Sequence, residues 1–138
     1  CYTQARRRTE VARVFLIDDE EDVVNLLTTV FSTRGFEVES ETDAQVALSR
    51  VLASPPDLLV LDLMMPGLDG FELLRLLRQH PAGATMKVVI VSARTEIADQ
   101  LHSLQLGADA YVCKPFSPAD LLRQVEDVMG AARGDAGA

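Results

Sequence analysis

Apolar residues along this chain fall into two alternating patterns. Short runs with hardly a polar residue, at 14–17, 58–61, 88–91 and 110–113, have the composition of strands covered on both faces of a parallel sheet. Residues 36–40, Phe-Glu-Val-Glu-Ser, alternate instead, which predicts a strand at a sheet edge with one face wet. Between these runs apolar residues recur at helical spacing, predicting helices over about 20–34, 43–53, 70–79, 96–106 and 118–129. Punctuation agrees with the pattern: Gly35 and Gly107 stand where helices end, Pro55-Pro56 stops the second helix, and Ser117-Pro118 is an N-cap followed by proline at the first helical position.

Five strand–helix repeats joined by right-handed crossovers predict an α/β fold, a flavodoxin-like doubly wound sheet of five parallel strands in the order 2-1-3-4-5 with five helices. Open sheets of this kind bind ligands beyond the carboxyl ends of their strands, where the strand order reverses. In this chain the first strand runs into Asp18-Asp19, the third into Asp62, the fourth into Ser92 and the fifth into Lys114. Every central strand thus delivers a polar or charged residue to the place such a fold uses for chemistry.

Composition narrows the function. The 138 residues suffice for one domain with a core, expected over 11–132, with a tail or linker at 1–10 and a flexible tail at 133–138. No apolar run has the length of a membrane span. A net charge of −8 with only Lys87 and Lys114 as lysines argues against direct nucleic-acid binding by this domain. Cys1 and Cys113 form neither a disulfide framework nor a zinc spacing, and Cys113 reads as a small core residue. With no signal peptide and a first residue that is not Met, the chain is expected to be a piece of a longer, cytoplasmic protein.

Asp18, Asp19 and Asp62 converging on one spot repel one another, by about 4 kcal/mol per pair ~4 Å apart at an effective dielectric near 20, so a cation is expected among them. Hard oxygen donors in small number suit Mg²⁺ better than Ca²⁺, and the lack of His or Cys in the set disfavours Zn²⁺. A carboxylate that accepts a phosphoryl group must be ionised, fixed in line with its donor and surrounded by positive charge. Asp62 fits that role, with Lys114 to neutralise the phosphoryl oxygens and Ser92 to donate a hydroxyl hydrogen bond.

The blocks Ile17-Asp-Asp-Glu20, Val60-Leu-Asp-Leu-Met-Met-Pro-Gly-Leu-Asp-Gly70, Val91-Ser-Ala93 and Tyr111-Val-Cys-Lys-Pro-Phe116 together resemble the signature of response-regulator receiver domains. That resemblance implies that Asp62 is the phosphorylated residue. It implies Mg²⁺ held by Asp19 directly, by Asp18 through water, by Asp62 and by the backbone carbonyl of Met64. Ser92 and Lys114 then contact the phosphoryl group, Tyr111 reports its presence, and the Lys114–Pro115 bond is cis. The implied partners are a histidine kinase or histidine phosphotransfer protein, and an output domain or downstream protein on the face of the fourth helix, fifth strand and fifth helix. The domain itself is expected to be a monomer or a weak, phosphorylation-dependent dimer. It is a phosphoacceptor signalling domain more than an enzyme, with limited autophosphorylation from small phosphodonors and autodephosphorylation.

Two other functions fit the residues less well. A phosphatase of the haloacid-dehalogenase type wants a second acid two residues after the nucleophile, where this chain has Met64, and no insertion is large enough for a substrate cap. A receiver-like binding module that never turns over phosphate would lack an acid or the lysine, and all are present. Other acids have plainer roles: Glu20, Glu21 and Asp22 favour a helix N-terminus, Asp69 caps the third helix, and Asp57 and Asp109 are turn residues at the wrong end of the sheet. His80 and His102 read as surface residues without partners.

Overall fold

The computed structural model describes residues 11–65, 67 and 69–137. The expected tail at 1–10 lies outside them. The chain alternates β1 (Arg13–Ile17), α1 (Glu21–Thr33), β2 (Glu37–Glu41), α2 (Ala44–Ala53), β3 (Leu58–Leu61), α3 (Gly70–Gln79), a 3₁₀ turn (Pro81–Gly83), β4 (Lys87–Ser92), α4 (Ile97–Gln105), β5 (Ala110–Cys113) and α5 (Pro118–Gly137). The strands are all parallel, in the order β2-β1-β3-β4-β5, so the predicted flavodoxin-like sheet is the one observed.

Each strand's alternation sorts its side chains onto two cores. Phe15, Ile17, Leu59, Leu61, Val88 and Ile90 pack against α2 and α3, including Leu73, Leu74 and Leu77. Val14, Leu16, Leu58, Val60, Val89 and Val91 pack against Leu27 and Phe31 of α1 and Leu121 and Val125 of α5. Burial of whole apolar runs is what a parallel sheet demands, and it explains why the central strands carry no polar position between their first residues and their carboxyl ends. β2 lies at one edge with Glu37, Glu39 and Glu41 along it. Arg50 pairs with Glu39 and Glu41, and Arg13 with Glu39.

Helix boundaries fall within a residue of expectation, except that α5 runs past 129 to Gly137, a segment whose alanines favour helix. Asp43 caps α2 by accepting from the amides of Gln45 and Val46, and Asp69 caps α3 by accepting from Phe71. Ser117 Oγ accepts from the Asp120 amide at the start of α5. Asp57 and Asp109 do more than turn: Asp57 accepts from the amide that opens β1 (2.7 Å) and Asp109 from the Val88 amide, the second of β4 (2.8 Å). Cys113 is half-buried instead of a core residue, because β5 is the other edge of the sheet.

α4 departs from the usual layout. Its one buried residue is Ser103, while Ile97, Leu101 and Leu104 point to solvent. Elsewhere packing is tight: a Cβ placed on Gly70 would meet the Leu63 backbone at 2.5 Å, whereas one on Gly130 in α5 would meet nothing within 4 Å. Gly70→Ala is therefore expected to lower stability by about 1–3 kcal/mol through forced backbone movement. Gly130→Ala should raise it by about 0.5–1 kcal/mol by removing flexibility from the unfolded chain and helix. Urea denaturation midpoints of the two variants, expected to move in opposite directions, provide the check.

Candidate functional site

The carboxyl ends of β1, β3 and β5 place Asp18, Asp62 and Lys114 together. Asp18 and Asp62 are 3% exposed, a depth at which an ionised carboxylate persists only with partners. The backbone sets them side by side: the Asp62 amide donates to the Ile17 carbonyl at 2.9 Å, extending the β1–β3 ladder by one bond. From β5, the amide of Lys114 donates to the Ser92 carbonyl at 2.8 Å, and its side chain reaches back over the strand ends. The Lys114–Pro115 peptide is cis, as expected.

Lys114 Nζ donates to Asp18 Oδ2 at 3.1 Å, to Asp62 Oδ2 at 3.2 Å and to Glu20 Oε1 at 2.5 Å. An ammonium has three protons, and all three are directed at carboxylates. The remaining oxygens are held by amides: Asp18 Oδ1 accepts from Glu20 (2.9 Å) and Asp62 Oδ1 from Met64 (3.0 Å). Burial raises the pKa of Asp18 above its ordinary 3.8; the Glu20 amide opposes this, the Asp62 charge adds to it, and Lys114 opposes it. For Lys114, burial works against the charge, but the Glu20 hydrogen bond and the Asp62 and Asp18 charges outweigh it, and the pKa ends above the usual lysine value.

Oxygens of Asp18, Glu20 and Asp62 all lie within 4.8 Å of one another, so among the described residues these three form a group able to hold a metal ion. This membership corrects one reading of the sequence: Glu20, assigned to the dipole of α1, is turned onto Lys114 and makes no side-chain cap there. Its signal was available in the unbroken run Asp18-Asp19-Glu20 at a strand end. Asp19 is exposed and outside the group. Met64 is half-exposed beside Asp62.

Ser92 is wholly buried, and its Oγ accepts from the Arg94 amide at 3.2 Å. The Tyr111 hydroxyl donates to the Arg94 carbonyl at 2.8 Å, so the segment after β4 is held at both its amide and its carbonyl by the two residues expected to act in sequence. His102 is exposed, as expected of a surface residue, but its ring stacks on Phe71, a partner no pattern in the sequence shows. Nothing in the sequence links positions so far apart.

Replacing Lys114 by Met leaves Asp18 and Asp62 buried without their shared cation, and stability measured in a chelator should fall by about 1–3 kcal/mol, less than for a fully enclosed pair because solvent reaches the site. Asp62→Asn in the same chain should restore part of that loss. Asp18 has a raised folded pKa, so its favourable contribution is complete below 3.8 and is lost as pH rises through the folded value. The deficit of Lys114→Met is thus expected to be greatest near neutrality and to shrink on acidification, as denaturation curves from pH 7 into the acid range will register.

Comparisons with known proteins agree with this geometry. The family model described as "Response regulator receiver domain" matches residues 14–126. The alkaline phosphatase synthesis transcriptional regulatory protein PhoP of Bacillus subtilis is 36% identical over 117 residues, 85% of this chain and 48% of that protein. The DNA-binding response regulator MtrA of Mycolicibacterium smegmatis is 37% identical over 113 residues, 82% of this chain and 48% of that protein. This chain therefore spans about half the length of the curated relatives it matches. Among solved structures, a CheY-like response regulator receiver domain protein from Methanospirillum hungatei superimposes with a TM-score of 0.84 at 25% identity, covering 91% of this chain and 99% of that one. With its sheet order, its acid cluster and a family model that accounts for most of its length, the chain belongs to the receiver domains of two-component response regulators.

Proposed function

We propose that this receiver domain accepts a phosphoryl group on Asp62 from a phosphohistidine of a histidine kinase or phosphotransfer protein, and passes the change to the surface of α4, β5 and α5. The observation that carries the reading is the Lys114 ammonium lodged against Asp18 and Asp62 at the switch point of the sheet. In the transfer, Asp62 Oδ attacks phosphorus, the N–P bond breaks as the O–P bond forms, and the imidazole keeps the electron pair. Lys114 neutralises charge on the transferring oxygens, while Ser92, freed from the Arg94 amide, supplies a hydroxyl donor.

The donor set suits Mg²⁺: it is all carboxylate oxygen, hard and few in number, with no His or Cys in the group. Asp18, Asp19, Asp62 and the Met64 carbonyl are the residues we assign to hold it, with Glu20 as the neighbour that joins Asp18 and Asp62 in the structure. When bound, Mg²⁺ supplies positive charge to the phosphoryl oxygens and relieves the repulsion among the acids.

For output, a groove between β5 and α5 is lined by Tyr111, Cys113, Asp120 and Arg123, and α4 exposes Ile97, Leu101 and Leu104. Withdrawal of Ser92 toward the phosphoryl group lets Tyr111 turn inward and reshape that face. PhoP is named a transcriptional regulatory protein and MtrA a DNA-binding response regulator. With a net charge of −8, this domain serves as the acidic receiving part, in the cytoplasm, and leaves nucleic-acid contact to an output partner. It is a monomer or a weak dimer that forms on phosphorylation. No helix among the described residues is long and apolar enough to cross a membrane.

Incubation with acetyl phosphate and Mg²⁺ should add one phosphoryl group to the wild-type chain, and none to Asp62→Ala; intact-mass spectrometry reads both, and an unchanged adduct in the variant would move the acceptor elsewhere. Asp19→Asn should weaken Mg²⁺ binding about tenfold or more, whereas Glu20→Gln should leave it within a few-fold of wild type. Titration calorimetry separates the two, and equal losses would transfer the ligand role to Glu20.

A further inference from the structure

Away from the acid cluster, one contact joins elements that the sequence keeps far apart. The ring of Phe71, in the first turn of α3, stacks on His102 of α4 with centroids 4.5 Å apart and planes 25° from parallel. The Arg94 guanidinium lies over the same Phe71 ring at 5.6 Å and pairs with Asp99 of α4 at 3.7 Å. α4 also lies against β5, but the stack is its aromatic link to α3. It buries only Ser103, and its large apolar side chains face solvent, so the side of the helix toward α3 is held by this aromatic contact and by the Arg94–Asp99 pair beside it.

Phe71 is in turn tied to the segment that follows Asp62. Gly70 sits so close to Leu63 that a Cβ there would fall 2.5 Å from the Leu63 Cα and 3.0 Å from its carbonyl oxygen. The Phe71 amide donates to Asp69, and Leu63 is itself buried. Contact at this density transmits displacement instead of absorbing it. A change at Asp62 that moves Leu63 must move Gly70 and Phe71, and the stack carries that movement to His102.

We infer that Phe71 and His102 are positioning residues that relay the state of Asp62 to α4 through α3, beside the path through Ser92 and Tyr111. The inference rests on Asp62 being the phosphoacceptor. His102 acts through the flatness of its ring, so another aromatic can replace it and an aliphatic stub cannot.

Amide hydrogen exchange on the full chain, with Mg²⁺ and with or without beryllofluoride as phosphoryl mimic, tests it. In the wild type, amides around residues 62–65 and those of α4 should both respond, the latter by about fivefold or more if the coupling is of ordinary allosteric size. In His102→Ala the 62–65 amides should respond as before while the α4 response falls toward none. In His102→Phe the α4 response should return. An undiminished α4 response in His102→Ala overturns the relay, as does a loss that His102→Phe fails to restore. Basal α4 exchange that rises equally with and without the mimic, leaving the response ratio intact, reduces the stack to a structural contact and also overturns it. Silence of the wild-type 62–65 amides would instead overturn the assignment of Asp62, and the relay with it.

Discussion

One ammonium group ties the end of the sheet together. Lys114 Nζ satisfies oxygens from Asp18, Glu20 and Asp62, two of which are almost fully buried. Buried carboxylates at such separation repel strongly, and a fold that collects them needs a cation fixed in place by the backbone. Here the strand pairing provides it, since the amide of Lys114 continues the β4–β5 ladder through the Ser92 carbonyl. The same bond fixes the end of β4 at Ser92. The positions of Asp62, Lys114 and Ser92 are therefore consequences of strand register more than of independent loops.

That register depends on the two-sided core. Since successive residues of β1, β3 and β4 go to opposite faces, a slip of one position would exchange the α2–α3 layer for the α1–α5 layer along the whole strand. The apolar runs that made the strands recognisable also fix which residue arrives at the rim. Asp18 and Asp62 stand at the first positions after the runs end, where a polar side chain meets water, a cation or a ligand.

Much of this was legible from patterning alone. The five strands, their order and their helices follow from runs, alternation and glycine or proline punctuation, and Asp18, Asp62, Ser92 and Lys114 follow from being next in line. What escaped was set by side-chain direction. Three acids in a row after β1 offer three geometries, and only the turn into α1 decides that Glu20 faces Lys114 while Asp19 faces outward. Cys113 looked like core because its run is apolar, but it sits on an edge strand that one helix leaves half uncovered. His102 and Phe71 are neighbours only in three dimensions, across elements whose packing no periodicity encodes. The extension of α5 to Gly137 went unseen because the Gly/Ala-rich stretch at 133–138 was read as a flexible tail.

The glutamates of β2 have a consequence of a different kind. An open parallel sheet offers unpaired amides and carbonyls along its outer strands, and a second copy could in principle dock there and extend it into a continuous ribbon. Along β2 every other residue, Glu37, Glu39 and Glu41, is acidic, so two such edges brought together would align like charges at each step. Arg13 and Arg50 temper that charge within one molecule but are engaged by it, and a chain of net charge −8 supplies few spare cations to bridge two molecules. The strand that adds least to the core thus acts as a guard on it, keeping a sixth strand from joining the sheet at that edge even where many copies are crowded together.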